Sequence, residues 1–263
     1  MWLQRFLSAL SPLDLAALTV FALAWFGYEP LLKAALRGRG VINSDMTMVR
    51  RAWMRNMAHH DSKFMDGQLL GHALNSASFF ASSNLILIAA TAGALFGGEN
   101  TFRSASSLLV LKTSSRLLFE AQLALVLVAL ARGLLDFIWS IRQLNYCLAA
   151  IGAAPRPDAH DARVEAYGEA AARLLNPALS AFNAGVRGYY FALAAAAWMF
   201  GPVAFLTATL GAVALLGWRQ RTSKAARAIR DLRNILETAP PPSPAEPGEP
   251  AAARDQASPN EPR

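Results

Sequence analysis

Apolar residues gather in four long blocks, at about 12–32, 73–96, 117–141 and 189–218, and the stretches between them turn amphipathic or polar. A run of about twenty apolar residues is what a helix needs to cross the hydrocarbon layer of a bilayer. The first block opens on Ser11, a good helix cap, and Pro12, favoured in a first turn. Asp14 and Glu29 lie near its ends, and Trp25 and Tyr28 suit an interfacial aromatic belt. In the second block Asn75, Ser78 and Ser82 share one helical face. Small and hydroxyl residues let membrane helices approach closely, so this face is expected to pack on another span. The fourth block is interrupted by Gly201-Pro202. As one helix its thirty or so residues would extend about 45 Å, long for one crossing and short for two. Two readings stay open: one tilted, kinked span, or a hairpin turning at Gly201-Pro202.

Two further stretches have helical spacing with one apolar and one basic side. From about 45 to 64, Met46, Val49, Trp53, Met57, His60 and Phe64 recur at intervals of three and four, with Arg51, Arg55 and His59 opposite. This predicts a basic amphipathic helix, lying in the membrane interface or packed on the other spans with its basic side in water. From about 219 to 237, Ala225, Ile229, Leu232 and Leu236 share a face and Arg221, Lys224, Arg227 and Arg230 lie off it. The proline-rich remainder, 238–263, cannot bury a core and is expected to be disordered.

Composition supports the membrane reading. The 263 residues are 54% hydrophobic and 16% charged, against about a quarter charged in an ordinary soluble domain. The net charge of +7 acts first on orientation and on anionic lipid, so no nucleic-acid partner is expected. The connection at 33–72 holds seven cations (Lys33, Arg37, Arg39, Arg50, Arg51, Arg55, Lys63) and that at 142–188 holds five (Arg142, Arg156, Arg163, Arg173, Arg187). Both are therefore expected on the cytoplasmic side of a bacterial inner membrane, as a multi-pass protein with its N-terminus outside. A hairpin at Gly201-Pro202 would bring the cationic 219–237 stretch to the same side. The single cysteine, Cys147, excludes an internal disulfide.

Four segments in order resemble one family: NSDMTMVRRAWM (43–54), DGQLLGHALNSASFFASSNLILI (66–88), DFIWSIRQLNYCLAAIGAAP (136–155) and FNAGVRGYYFALAAAAWMFGP (182–202). Together they are similar to the bacterial and plant membrane proteins grouped as domain of unknown function 599. The resemblance implies an integral membrane protein and no particular activity.

The chain has no Walker loop, HExxH or Ser-His-Asp order. No catalytic residue, metal site or cofactor is assigned. Two groups of polar residues invite a role. Arg142, Asn145 and Tyr146 leave the third block, and Asn183, Arg187 and Tyr190 form a stripe entering the fourth. With Asp66 they are candidates for a polar cluster that holds a lipid headgroup or another anion, since paired guanidinium groups match phosphate and carboxylate. The bland alternative is a network that ties helices together. Glu120, Arg132 and Asp136 lie within the third block; Arg132 and Asp136 are four apart and can pair, and Arg116 stands one turn before Glu120. Charges at membrane depth normally face a bundle interior. The expected fold is an all-α polytopic membrane bundle. The expected role is structural, interaction-forming or anionic-lipid-binding, in contact with the bilayer and compatible with a homo-oligomer or a membrane-protein partner. The alternative is a small transporter or channel subunit that uses the buried charges.

Overall fold

A computed structural model describes residues 10–35, 42–107, 115–155 and 162–238. The proline-rich tail lies outside the described residues, as does the side chain of Glu29. The elements are α1 (Pro12–Ala35), α2 (Ile42–His59), α3 (Phe64–Phe96), α4 (Gly98–Ser106), α5 (Arg116–Gly152), α6 (Ala162–Ala196) closed by a 3₁₀ turn (Ala197–Phe200), α7 (Pro202–Arg221) and α8 (Lys224–Thr238). No strand occurs among the described residues. Three stretches are long and apolar enough to cross a membrane, Phe64–Phe96, Arg116–Gly152 and Pro202–Thr238, and Pro12–Tyr28 is a shorter apolar helix. The chain is an all-α helical bundle of membrane type.

The fourth apolar block reverses direction. Gly201 has φ 105°, a backbone state that side chains with a Cβ avoid, and Pro202 starts the next helix. Arg219 donates a hydrogen bond to the Tyr190 hydroxyl 29 positions earlier, where an unbroken helix would hold the two about 43 Å apart. Trp198 and Phe205 stack across the turn with centroids 5.3 Å apart. The bundle therefore has two ends: a turn end, with Ser11, the start of α5 and Gly201, and a basic end, with α2, the end of α5, the start of α6, and α8. Arg233 of α8 bonds Asp45 of α2 at 2.7 Å, which fixes α8 at the basic end.

The pair α5–α6 forms the spine. Close approach makes it possible: a Cβ on Gly188 would stand 3.1 Å from Gly133 Cα, and one on Gly133 3.4 Å from Gly185 O. Such glycine crossings bring backbones into van der Waals contact where lipid offers no hydrophobic gain. Two cores stack along this spine. Near the turn end Phe21, Leu130, Phe191, Ala195, Trp198 and Phe205 pack together. Toward the basic end Met54, Leu70, Leu144, Cys147, Ala171 and Leu175 form a second core, which buries the lone thiol. Helices α3, α5 and α6 run through both.

Two sequence expectations are corrected. On α3 the buried stripe is Leu70, Ala77, Ala81 and Asn84, while Asn75 and Ser82 are exposed. The alanines permit the contact with α5, and Asn84 donates to Leu130 O at 2.8 Å. The 45–64 stretch is not one helix: α2 ends at His59, and Phe64 opens α3 at 70% exposure. The buried face of α2 is Asp45, Arg50, Met54, Met57 and Ala58. It is set by Gly168 of α6, where a Cβ would lie 2.7 Å from Arg55 Cα and 2.9 Å from Met54 O. The basic face meets acids on α6: Arg51 bonds Glu169 at 2.6 Å, Arg55 pairs with Glu165, and His59 stands 3.4 Å from Glu165.

Candidate functional site

A cleft of about 730 Å³ opens sideways between α1, α5 and α6. It forms because α1 packs mainly along α7 and leaves the flank of α5 uncovered. Aromatic residues of α1, Trp25, Phe26 and Tyr28, and Phe191 of α6 build the apolar wall. Arg132 and Asp136 of α5 and Arg187 of α6 supply the polar wall. Arg132 Nε donates to Asp136 Oδ2 at 3.2 Å, with the two side chains 60% and 20% exposed. The pair is one helical turn apart, as the four-residue spacing requires.

The charges of α5 thus face an open cleft at the flank of the bundle and not its interior, which corrects the sequence expectation. The interior of α5 is filled by Gln122, Leu123, Val126, Leu130, Phe137 and Ser140. Its polar members are satisfied by backbone: Gln122 donates to Trp198 O at 3.1 Å and Ser140 to Ala178 O at 2.8 Å. Glu120 bonds Arg116 at 2.7 Å and lines a second cleft of about 500 Å³ with Leu18, Ala124 and Trp198.

The remaining candidates are distributed over separate contacts. Asp66, almost wholly buried, accepts from Trp53 Nε1 at 2.7 Å and stands 2.8 Å from His60 Nδ1. Asn183 bonds Asn43, which also reaches Ser180. Tyr190 receives Arg219. Arg142 donates to the Tyr146 hydroxyl at 3.3 Å, and Asn145 to Ile141 O. Since Gly133 lies against Gly185 and Gly188, Arg187 is level with the neighbourhood of residue 133. Arg142 stands nine positions further along α5, about 14 Å away in height. Arg142 and Arg187 therefore do not form one site; Arg132 and Arg187 share one. Asp66, Asn183 and Tyr190 hold helices together.

The cleft presents two guanidinium groups to one carboxylate, beside an apolar wall. Of the five N–H donors of Arg132, the Nε is given to Asp136, which steadies the side chain. Planar guanidinium groups match the oxygens of a phosphate or carboxylate two at a time. Below the cleft the exposed face of α5 continues through Leu135, Trp139, Arg142 and Tyr146, a basic and aromatic mixture that suits the headgroup region of a bilayer. The aromatic wall escaped sequence reasoning because Trp25 and Tyr28 also fit a belt. The pairing of Arg132 with Arg187 escaped it because only the glycine crossing brings them level. The spacing of Gly185 and Gly188 was the available signal.

No curated protein and no solved structure matches the chain. A family model described as "Protein of unknown function, DUF599" matches residues 16–225. That stretch takes in the whole cleft and most of both cores, and on it the chain belongs to the DUF599 family.

Proposed function

We propose that this protein is a non-enzymatic component of the bacterial inner membrane that binds an anionic lipid headgroup at its flank. The observation that carries the reading is the cleft in which Arg132, steadied by Asp136, and Arg187 stand beside Trp25, Phe26 and Phe191. An acidic amphiphile offers the matching profile, an anion next to apolar surface. The basic end belongs on the cytoplasmic side, with α2 and α8 at the membrane surface. The transporter reading is less well supported. Glu120 and Asp136 are each paired to an arginine one turn away on the same helix, and both line clefts at the flank of the bundle, not its interior.

Native mass spectrometry of the protein released from its own membrane tests the reading. The wild type is expected to retain one anionic lipid. Arg132→Gln and Arg187→Gln are expected to lose it, while Arg142→Gln, about 14 Å away along α5, keeps it. Retention of the lipid by both cleft variants would overturn the proposal.

A further inference from the structure

We infer that the two clefts are one continuous lateral groove, and that it holds an acyl chain of the bound lipid, directed from the arginines toward the turn end. The inference rests on the headgroup reading above. Val128 lines both cavities and joins them. Glu120, Ala124, Val128, Arg132 and Asp136 recur every four residues, so each stands one turn on from the last and the row winds gradually around α5. Sixteen positions separate the ends, so the groove is about 24 Å long. Its chemistry changes along the way. The half nearer the basic end of the bundle carries Arg132, Arg187 and Asp136. The other half is walled by Leu18, Leu95, Leu117, Leu125 and Trp198, with Ala121 and Ala124 leaving the room. Glu120, the one charge among its described lining residues, is bound to Arg116.

This order of cation and then apolar channel argues for the occupant. A second helix would meet two guanidinium groups and an aspartate in the middle of its contact face. A lipid presents an anion followed by methylenes, and each part meets its match. Apolar clefts of several hundred Å³ are the usual size for such ligands. The direction of the chain, away from the basic end, is that of a lipid of the leaflet on that side.

The test uses the full chain in mild detergent, with long-chain and short-chain phosphatidylglycerol as probes and native mass spectrometry as readout. Ala124→Trp fills the apolar half from α5, and Leu18→Trp fills it from α1. Each is expected to lower retention of the long-chain lipid at least tenfold and to leave the short-chain lipid at its wild-type level. Wild-type retention is expected to rise with chain length, a comparison that needs no variant. If both tryptophan variants hold the long-chain lipid like wild type while Arg187→Gln loses it, the chain lies elsewhere and the headgroup reading stands. If Arg187→Gln also holds it, the headgroup reading itself fails. A wild-type dimer that Ala124→Trp dissociates would show a second copy in the groove and overturn the inference.

Discussion

Single residues show where this bundle stores cost and where it tolerates none. Arg50 is 6% exposed, and its Nε and Nη1 find no hydrogen-bond partner among the described residues. Burial alone pushes its guanidinium down to about 10. The native state therefore holds fewer protons than the unfolded chain above that pH, so stability rises as pH climbs through about 10. At neutral pH both states are charged and the whole penalty, on the order of 3 kcal/mol, remains. Arg50→Met is expected to raise the thermal midpoint in detergent; a fall would show that the guanidinium is needed. Glycines give the opposite case. A Cβ on Gly168 meets backbone of α2 at 2.7 Å, while Gly67 has nothing within 4 Å. Gly168→Ala is expected to cost about 1–3 kcal/mol, and Gly67→Ala to be neutral or mildly stabilising; denaturation of the pair checks both. The arginines were visible in the sequence as residues. That Arg50 points inward was not, because it depends on which face of α2 the glycine at 168 admits.

At the scale of elements, the hairpin and the α2–α6 seam carry different weights. Gly201 at φ 105° is where the chain reverses, and an alanine there is strained by about 1–3 kcal/mol. Gly201→Ala is expected to lower the thermal midpoint clearly. The seam of Arg51, Arg55 and His59 against Glu165 and Glu169 is half exposed. Ion pairs of this kind contribute less than about 1 kcal/mol each. Glu165→Gln with Glu169→Gln is expected to cause a small loss in stability at low salt, and none at high salt. Apolar length and the Gly-Pro break made the helices and both readings of the turn legible in advance. The seam was not, because Glu165 and Glu169 lie in a stretch whose partner is more than a hundred residues away. The face of α3 was misjudged for a related reason. Hydroxyl residues and alanines pack equally well in principle, and the choice fell to the amide of Asn84.

Across the whole molecule, two stacked cores on one spine account for helices much longer than a bilayer is thick. Thirty-seven residues of α5 extend about 55 Å, against a hydrocarbon layer of about 30 Å. The charge count alone had set the basic connections on one side, and the salt bridge of Arg233 with Asp45 brings α8 to that end. A reporter fused after Thr238 is expected to share a compartment with one placed beside α2, and to differ from one placed after α4; the opposite pattern would contradict the hairpin. The cleft itself was half legible, its charges by type and its shape not at all, since it exists only because α1 leans on α7. One contact has a consequence for how the protein is made. Asp14 of the first helix accepts the indole N–H of Trp198 at 2.7 Å, 184 positions later. A chain emerging from the ribosome places that carboxylate near the membrane long before its partner is synthesised. Among the described residues the acid otherwise bonds with Ser11, so a chain stopped short of Trp198 lacks the hydrogen bond that ties this carboxylate to the rest of the bundle. Arrival of the C-terminal hairpin is thus the event that supplies this carboxylate with its indole donor and fastens the first helix to the last pair.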